Sequence, residues 1–178
     1  MKRTLLMLFI GATALTAQSQ QIAKWKITDV ENYITTSKDE VLVINFWATF
    51  CKPCVAEIPS FIKITDQYKS QHVKLMLVSL DLPSYYPAKI ASFAKKHQFN
   101  TNITWLAETN ADYFCPKVDK SWSGSIPATL IINTKTGYRK FVEEEMDAAA
   151  FEKELKTALG EKVASVSKDY FIDRAEPE

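Results

Sequence analysis

The 178-residue sequence is poor in the residues that mark flexible, repetitive or strongly charged proteins. It has 4 glycines and 7 prolines, no low-complexity run and no internal repeat, which argues against linkers, disordered arrays and solenoids. Its net charge of +1 gives no broad electrostatic footprint, so nucleic acid is not an expected partner. A chain of this length buries about 70% of its unfolded surface and needs no metal or disulfide to hold a core. Its 3 cysteines are therefore available for chemistry.

The first twenty residues have the order of a secretory signal peptide. Two basic residues precede an uncharged, mostly apolar run over 5–15, and small and polar residues follow it. The run is shorter than the roughly 20 residues of a spanning helix. We expect cleavage after Ser19, with cleavage after Ala17 as the alternative. Because no cysteine precedes Cys51 to accept a lipid, the mature protein is predicted to be periplasmic or secreted, without membrane insertion.

Apolar patterns beyond this segment predict an α/β fold. Nearly continuous β-branched and aromatic residues at 41–47 predict a strand buried on both faces, and a second apolar strand follows at 73–80. Two later strands, 128–133 and 138–142, flank a turn that ends in Gly137, which is a hairpin signal. Helical spacing or capping patterns predict helices over 28–34, 51–68, 87–97 and 146–159.

Other segments give weaker signals. Thr28 and Glu31 fit a helix capping box, in which Thr28 accepts from the Glu31 N–H while Glu31 reaches back. Residues 103–106 fit a strand, and 110–118 are ambiguous but fit a short helix. Residues 161–178 show no clear period. We therefore expect a signal peptide over 1–19, one domain over 20–160 and a C-terminal extension over 161–178.

Cys51-Lys52-Pro53-Cys54 directly follows the first buried strand and begins the next helix. Two thiols at i and i+3 on the first turn lie close enough to close a small disulfide ring, so the pair can cycle. The unpaired N–H groups and positive dipole of the helix N-terminus, with Lys52 nearby, favour the thiolate of Cys51, the predicted nucleophile. Cys54 lies one turn deeper, where burial disfavours charge, and would expel the mixed disulfide. Pro53 fits the first turn, where a missing N–H costs nothing.

Two structural roles compete with this chemistry. A permanent disulfide across so short a loop would contribute little chain entropy. Half of a zinc site would need two further ligands, and Cys115, His72 and His97 lie at no ligand spacing. We therefore expect no metal and no other cofactor, and we read both histidines as surface or structural residues.

The surroundings of the cysteine pair resemble the thioredoxin superfamily. The matching residues lie on both sides of the pair and at a distant proline: Asn45-Phe46-Trp47-Ala48-Thr49-Phe50, then Glu57 and Pro59, then Ser125-Ile126-Pro127-Ala128-Thr129. Within the superfamily they are similar to the extracytoplasmic TlpA/ResA branch of thiol-disulfide oxidoreductases, over roughly 41–159. The resemblance implies a thioredoxin fold, a mixed central sheet flanked by helices, with a helical insertion after the second core strand, at about 83–104.

The resemblance also implies a substrate-binding surface. The Ile126–Pro127 bond would be cis and face the dithiol, and proline is the one residue for which a cis bond is cheap. The backbone of Ile126 would bind an extended client strand, and Trp47 and Pro53 would belong to the same surface. Without the upstream motif, a trans turn at Pro127 and a core role for Trp47 would be the alternatives.

Glu57 is the third predicted catalytic residue. It lies three residues after Cys54 on the same helix face, and if it is buried its raised pKa would let it exchange a proton with Cys54. The alternative is a solvated glutamate on an amphipathic helix. Asn45 stands where thioredoxin itself has an acidic residue, so proton exchange falls to Glu57. A second departure lies at 142–144, where many relatives carry a glycine.

The implied activity is thiol exchange with disulfides of client proteins. The proline between the cysteines resembles the reducing pattern, so we expect a reductant, which in an oxidising compartment implies a membrane electron donor. The rival hypotheses are a noncatalytic binding module with a static disulfide and a peroxidase on the same fold. The peroxidase spacing Thr-x-x-Cys is absent, since Thr49 lies two residues before Cys51.

Cys115 is expected to be a small buried hydrophobe, with a second redox centre or an intermolecular link as alternatives.

Overall fold

The computed structural model describes residues 21–161, and the predicted signal peptide and all but the first residue of the predicted extension lie outside them. Within this range no helix is long and apolar enough to cross a membrane. The strands of the described range are β1 (Ala23–Trp25), β2 (Val41–Trp47), β3 (Val73–Ser79), β4 (Asn102–Leu106), β5 (Ala128–Asn133) and β6 (Arg139–Val142). Its α-helices are α1 (Ile27–Thr36), α2 (Lys52–Gln67), α3 (Ala88–Lys96), α4 (Ala111–Val118) and α5 (Ala148–Ala158).

The strands form one mixed sheet in the order β1-β4-β3-β2-β5-β6. β1, β4, β3 and β2 run parallel, β5 is antiparallel to β2, and β6 is antiparallel to β5. β2 lies in the middle and is buried along its whole length, as its continuous apolar run predicts. Trp47 at the end of β2 pairs with Ser79 of β3, and Phe46 pairs with Ala128 of β5. The loops after β2 and β3 and the loop before β5 therefore meet at one edge of the sheet.

Alternate residues of β2 face two separate cores. Val43 and Trp47 face a core that includes α2, α3 and α5, in which the rings of Phe61 and Phe151 stack with centroids 3.9 Å apart. Phe46 and its even-numbered neighbours face a second core, with α1 and α4. Because side chains alternate along a strand, Asn45 faces the same side as Val43 and Trp47, toward α2.

The capping box predicted at Thr28 and Glu31 is wrong. α1 begins at Ile27, and the Lys26 N–H donates to Asp29 Oδ2 over 2.7 Å. Asp29 therefore reaches back instead of Glu31, because the chain enters the helix two residues earlier than the pattern indicated. The helix also continues to Thr36.

Strand β1 was not predicted, because three residues that include a lysine carry too little alternation to signal a strand. It pairs with β4 and is the outermost strand on that side of the sheet. The predicted helical insertion at 83–104 contains a 3₁₀ turn and α3 and runs into β4. The insertion therefore adds a strand between β1 and β3 as well as a helix.

Candidate active site

Cys51 and Cys54 lie at the beginning of α2 and are joined by a disulfide, with their Cα atoms 5.3 Å apart. Cys51 is the N-cap residue, and its Sγ accepts a hydrogen bond from the Cys54 N–H over 3.3 Å. This N–H is one of those that the first turn of a helix leaves without a backbone partner. Cys51 is 8% exposed and Cys54 is 0% exposed. Cys51 is therefore the outer sulfur of the pair.

The segment between β2 and Cys51 is anchored by Asp81, which the sequence analysis did not single out. The buried Asp81 carboxylate accepts from the Thr49 N–H, at 3.1 and 3.2 Å to its two oxygens, and from the Thr49 hydroxyl at 2.6 Å. It also accepts from the Ser79 hydroxyl at 2.8 Å. A carboxylate two residues past a buried strand that adjoins the motif strand is the signal that points to it. Asp81 ties the loops after β2 and β3 together beside the dithiol.

Glu57 is buried one turn after Cys54, so the alternative of a solvated glutamate is wrong. Its Oε1 accepts from Asn45 Nδ2 at 2.8 Å and its Oε2 accepts from the Met146 N–H at 2.9 Å. Burial raises the pKa of Glu57 to about 7, although these two hydrogen bonds lower it, and the nearby charge of Glu145 adds to the rise. The group therefore changes its protonation state near neutral pH.

Asn45 connects Glu57 to the neighbouring strand. Its Nδ2 also donates to the hydroxyl of Thr129 on β5 at 2.9 Å, while its buried Oδ1 has no hydrogen-bond partner within 21–161. An amide does not exchange protons in this pH range. Asn45 thus orients the Glu57 carboxylate without competing for its proton.

The Ile126–Pro127 peptide bond is cis and lies at the same edge of the sheet as Cys51. Pro127 is buried, and Ile126 is half-buried against the core cluster that contains Cys51 and Cys54. Within the described part of the chain, the backbone N–H and C=O of Ile126 make no hydrogen bond. They remain available to a ligand.

Trp47 and Pro53, both predicted to contact a client, differ in accessibility. Pro53 is half-buried on the first turn of α2. Trp47 is completely buried, and its ring packs against Phe93 and Phe99 with centroids 6.1 and 5.5 Å away. A client cannot reach the ring in this structure, so the predicted contact with Trp47 is not formed here. Trp47 belongs to the core behind the dithiol.

Two exposed apolar side chains, neither of them predicted from the sequence, lie at the same edge. Phe50 is 63% exposed and Leu82 is 59% exposed. They directly follow Thr49 and Asp81, whose hydrogen bonds join the two loops. Two large apolar side chains are therefore exposed to solvent on the two loops that Asp81 joins. No sequence pattern distinguishes such residues from core residues.

Cys115 lies apart from this site, on α4 at the other face of the sheet. It is buried and carries a free thiol, so the prediction of a buried hydrophobe is confirmed. Burial raises the pKa of the Cys115 thiol to about 11, with smaller contributions from the charges of Glu143 and Asp112. The thiol is therefore almost entirely protonated at neutral pH.

The two histidines also lie apart from the cysteine pair. His72 is exposed after α2, and the His97 ring stacks on Phe93 with centroids 4.1 Å apart. Between residues 21 and 161 there is no group of three or more His, Cys, Asp or Glu side chains that could hold a metal ion.

A model of the AhpC/TSA family matches residues 11–138. The chain belongs to the AhpC/TSA family. It is similar to a thiol-disulfide oxidoreductase ResA of Halalkalibacterium halodurans, with 27% identity over 128 residues that cover 70% of this chain and 68% of that protein. A second ResA, from Oceanobacillus iheyensis, is 32% identical over 72 residues, 40% of this chain, and the match spans only 37% of that protein's length.

The fold is that of thioredoxin-related proteins. A crystal structure of a thioredoxin-related protein from Neisseria meningitidis serogroup B superposes with a TM-score of 0.57 at 27% identity, covering 71% of this chain and 87% of that one. The predicted thioredoxin fold and the resemblance to ResA-like proteins are therefore confirmed.

Proposed function

We propose that this protein is a thiol-disulfide oxidoreductase whose Cys51/Cys54 dithiol exchanges with disulfides of client proteins. One observation carries the proposal: a buried carboxylate with a pKa of about 7 lies one turn behind a disulfide whose outer sulfur caps a helix N-terminus. The names of its ResA relatives support the same activity.

The first step uses the reduced protein. The Cys51 thiolate, favoured by the helix N-terminus and by its hydrogen bond from the Cys54 N–H, attacks one sulfur of a client disulfide. A Cys51–client mixed disulfide forms, and the other client sulfur leaves as a thiolate, which takes a proton from solvent.

The second step uses Cys54 and Glu57. The Glu57 carboxylate takes the proton of the Cys54 thiol, and the resulting thiolate attacks the Cys51 sulfur. The Cys51–Cys54 bond forms, the bond to the client breaks, and the departing client thiolate receives the proton from Glu57. The client gains two electrons and two protons, and the protein ends in the disulfide form.

The client surface consists of the cis-proline loop and the exposed apolar pair. The unbonded backbone groups of Ile126 are suited to hydrogen bonds with an extended client strand, a common mode of peptide recognition. Pro53, Phe50 and Leu82 supply apolar contacts around Cys51. Trp47 supports this surface from the core.

We further propose that the protein acts as a reductant outside the cytoplasm, after removal of residues 1–19. The support is the proline between the cysteines and the signal-peptide pattern. A reductant in that compartment requires a membrane-bound dithiol donor to reduce the Cys51–Cys54 disulfide again after each cycle.

Two rival hypotheses make different predictions. A binding module with a static disulfide needs no proton acceptor near Cys54, yet Glu57 is buried there. A peroxidase would need a threonine three residues before Cys51, whereas Thr49 lies two residues before it and its hydroxyl donates to Asp81. Both observations favour thiol exchange.

Insulin reduction with dithiothreitol tests the proposal. We expect the wild type to accelerate precipitation of the insulin chains, and Cys51→Ser and Cys54→Ser each to return the rate to that of dithiothreitol alone. If the wild type shows no acceleration, the binding-module hypothesis is favoured, and acceleration that both variants retain would exclude the Cys51–Cys54 pair as its source. Thiol-dependent consumption of hydrogen peroxide at a rate exceeding insulin reduction would instead favour the peroxidase.

The client and the compartment need experiments in the native host. Cys54→Ser should hold clients on Cys51 as mixed disulfides that dithiothreitol releases, with the Cys51→Ser/Cys54→Ser double variant as the control. Fractionation should find the processed protein outside the cytoplasm. An uncleaved chain in the cytoplasm would contradict the proposed location.

A further inference from the structure

The loop before the cis-proline is held by a carboxylate that the proposed chemistry does not use. The Ser123 N–H donates to the two oxygens of Glu143, at 3.0 and 3.1 Å, and the Ser125 N–H donates to its Oε1 at 2.9 Å. The Ser123 hydroxyl also donates to Glu143. Burial disfavours the charged form of Glu143. The hydrogen bonds from Ser123, Gly124 and Ser125 outweigh this effect and hold the pKa of Glu143 below its usual range.

The same loop is held from its other side by Trp122. The Trp122 Nε1 donates to the Ser125 carbonyl at 2.8 Å, and the ring is buried against Phe46, with centroids 4.6 Å apart. Ser125 is thus fixed at both of its backbone groups, its N–H by Glu143 and its C=O by Trp122. Residues 123–125 are otherwise exposed, and Gly124 has a φ of +99°, a conformation that L side chains rarely adopt.

Fixing Ser125 also fixes the group that a client would bind. The Ser125 carbonyl and the Ile126 N–H belong to one planar peptide unit, so holding Ser125 sets the direction of the Ile126 N–H. This N–H makes no hydrogen bond within residues 21–161. We propose that Glu143 is a positioning residue that holds the 123–125 loop so that the Ile126 backbone is presented to protein clients. The inference rests on the function proposed above.

If Glu143 positions the loop in this way, its loss should affect protein clients and small disulfides differently. A protein client that binds as an extended strand needs the Ile126 backbone in place, and a loop ordered beforehand lowers the entropy cost of binding. A small aromatic disulfide needs only the Cys51 sulfur. Glu143 should therefore matter for the first kind of substrate and not for the second.

The test compares Glu143→Ala with Glu144→Ala, which removes the same charge from the next residue. Glu144 is exposed and makes no side-chain hydrogen bond in the described range. We expect Glu143→Ala to raise the KM for insulin about tenfold at unchanged kcat, the order expected when charge-assisted hydrogen bonds to an exposed loop are lost. Its rate with 5,5′-dithiobis(2-nitrobenzoate) should not change. Glu144→Ala should behave as the wild type, and Glu143→Gln, which keeps one acceptor oxygen, should lie between.

Hydrogen exchange supplies a readout that does not depend on activity. Amides of residues 123–125 should exchange faster in Glu143→Ala, while the peptides of β2 and α2 keep their protection. An unchanged KM for insulin, or equal losses with insulin and the small disulfide, would overturn the positioning role. A wild type that reduces neither substrate would instead overturn the proposed function, and the inference with it.

Discussion

Cys51 and Cys115 are the same residue type in two regions with opposite surroundings. Cys51 begins α2 at the edge of the sheet where the loops meet, and its sulfur accepts a backbone N–H. Cys115 lies inside α4 against the other core, and burial raises the pKa of its thiol to about 11. Place in the fold, more than residue type, decides which thiol can form and break bonds.

The carboxylates near the two thiols also have opposite surroundings. Glu57, beside Cys54, has its pKa raised by burial to about 7 and can take up a proton. Glu143 is hydrogen-bonded to the Ser123–Ser125 loop, stays charged, and with Asp112 disfavours ionisation of Cys115. One region therefore has a proton acceptor for its thiol, and the other has negative charge that opposes the thiolate.

The largest expected effect is in thiol reactivity. In the reduced protein at pH 7, iodoacetamide should modify Cys51 on the order of a thousandfold faster than Cys115, because the thiolate reacts and Cys115 is protonated and buried. Mass spectrometry of timed samples measures both rates. The unfolded protein is the control, in which the two rates should converge. Comparable rates in the folded protein would show that the two regions do not differ in thiol reactivity.

The next effect concerns Glu57. We expect Glu57→Gln to slow the release of a client from Cys51 by about a hundredfold at neutral pH, a typical loss for general acid–base catalysis. In the wild type this rate should rise with pH through about 7, where Glu57 loses its proton, and in the variant this rise should be absent. Stopped-flow measurement of mixed-disulfide resolution gives both profiles, and Glu144→Gln is the control. Identical profiles would exclude Glu57 as the proton acceptor.

A smaller effect should appear in stability. The pKa of Glu57 is about 7 in the folded protein and 4.5 ordinarily, so the folded state binds its proton more tightly than the unfolded state. This contribution is full below the unfolded pKa and is lost as pH rises through the folded pKa. Relative to Glu57→Gln, the wild type should lose on the order of 3 kcal/mol of unfolding free energy between pH 4 and pH 8. Urea unfolding of the oxidised proteins measures it, and a constant difference would contradict the raised pKa.

The smallest effect is expected at Cys115. Cys115→Ala should lower the unfolding free energy by about 1 kcal/mol, because a buried sulfur is removed and a small cavity remains. Insulin reduction should be unchanged, because this thiol takes no part in exchange. Urea denaturation and the insulin assay check the two statements, and a loss of activity in the stable variant would give Cys115 a redox role.

The parts of the fold that could be predicted are those with strong local patterns. β2, its cysteine motif and α2 follow one another in sequence, so apolar run, CxxC spacing and helix start are visible together. β1 and the true start of α1 were missed, because the three-residue strand forms by pairing with β4 and the helix start depends on the hydrogen bond between the Lys26 N–H and Asp29.

The candidate site was predictable only in part. Cys51, Cys54 and Glu57 share one helix, so spacing brings them together. The Met146 N–H that binds Glu57 comes from a segment 89 residues further along the chain, and no local pattern predicts it. The exposure of Phe50 could not be predicted, because the sequence does not tell an apolar side chain inside the core from one at its edge.

The central claim is that the helix N-terminus makes the Cys51 thiol acidic, and the ionisation of that thiol tests it most directly. Thiolate absorbance of reduced Cys54→Ser should be followed against pH, with Cys51→Ser/Cys54→Ser to subtract Cys115. We predict that Cys51 is half-ionised well below the value of about 8.5 for a free cysteine. Half-ionisation at or above that value would contradict the account.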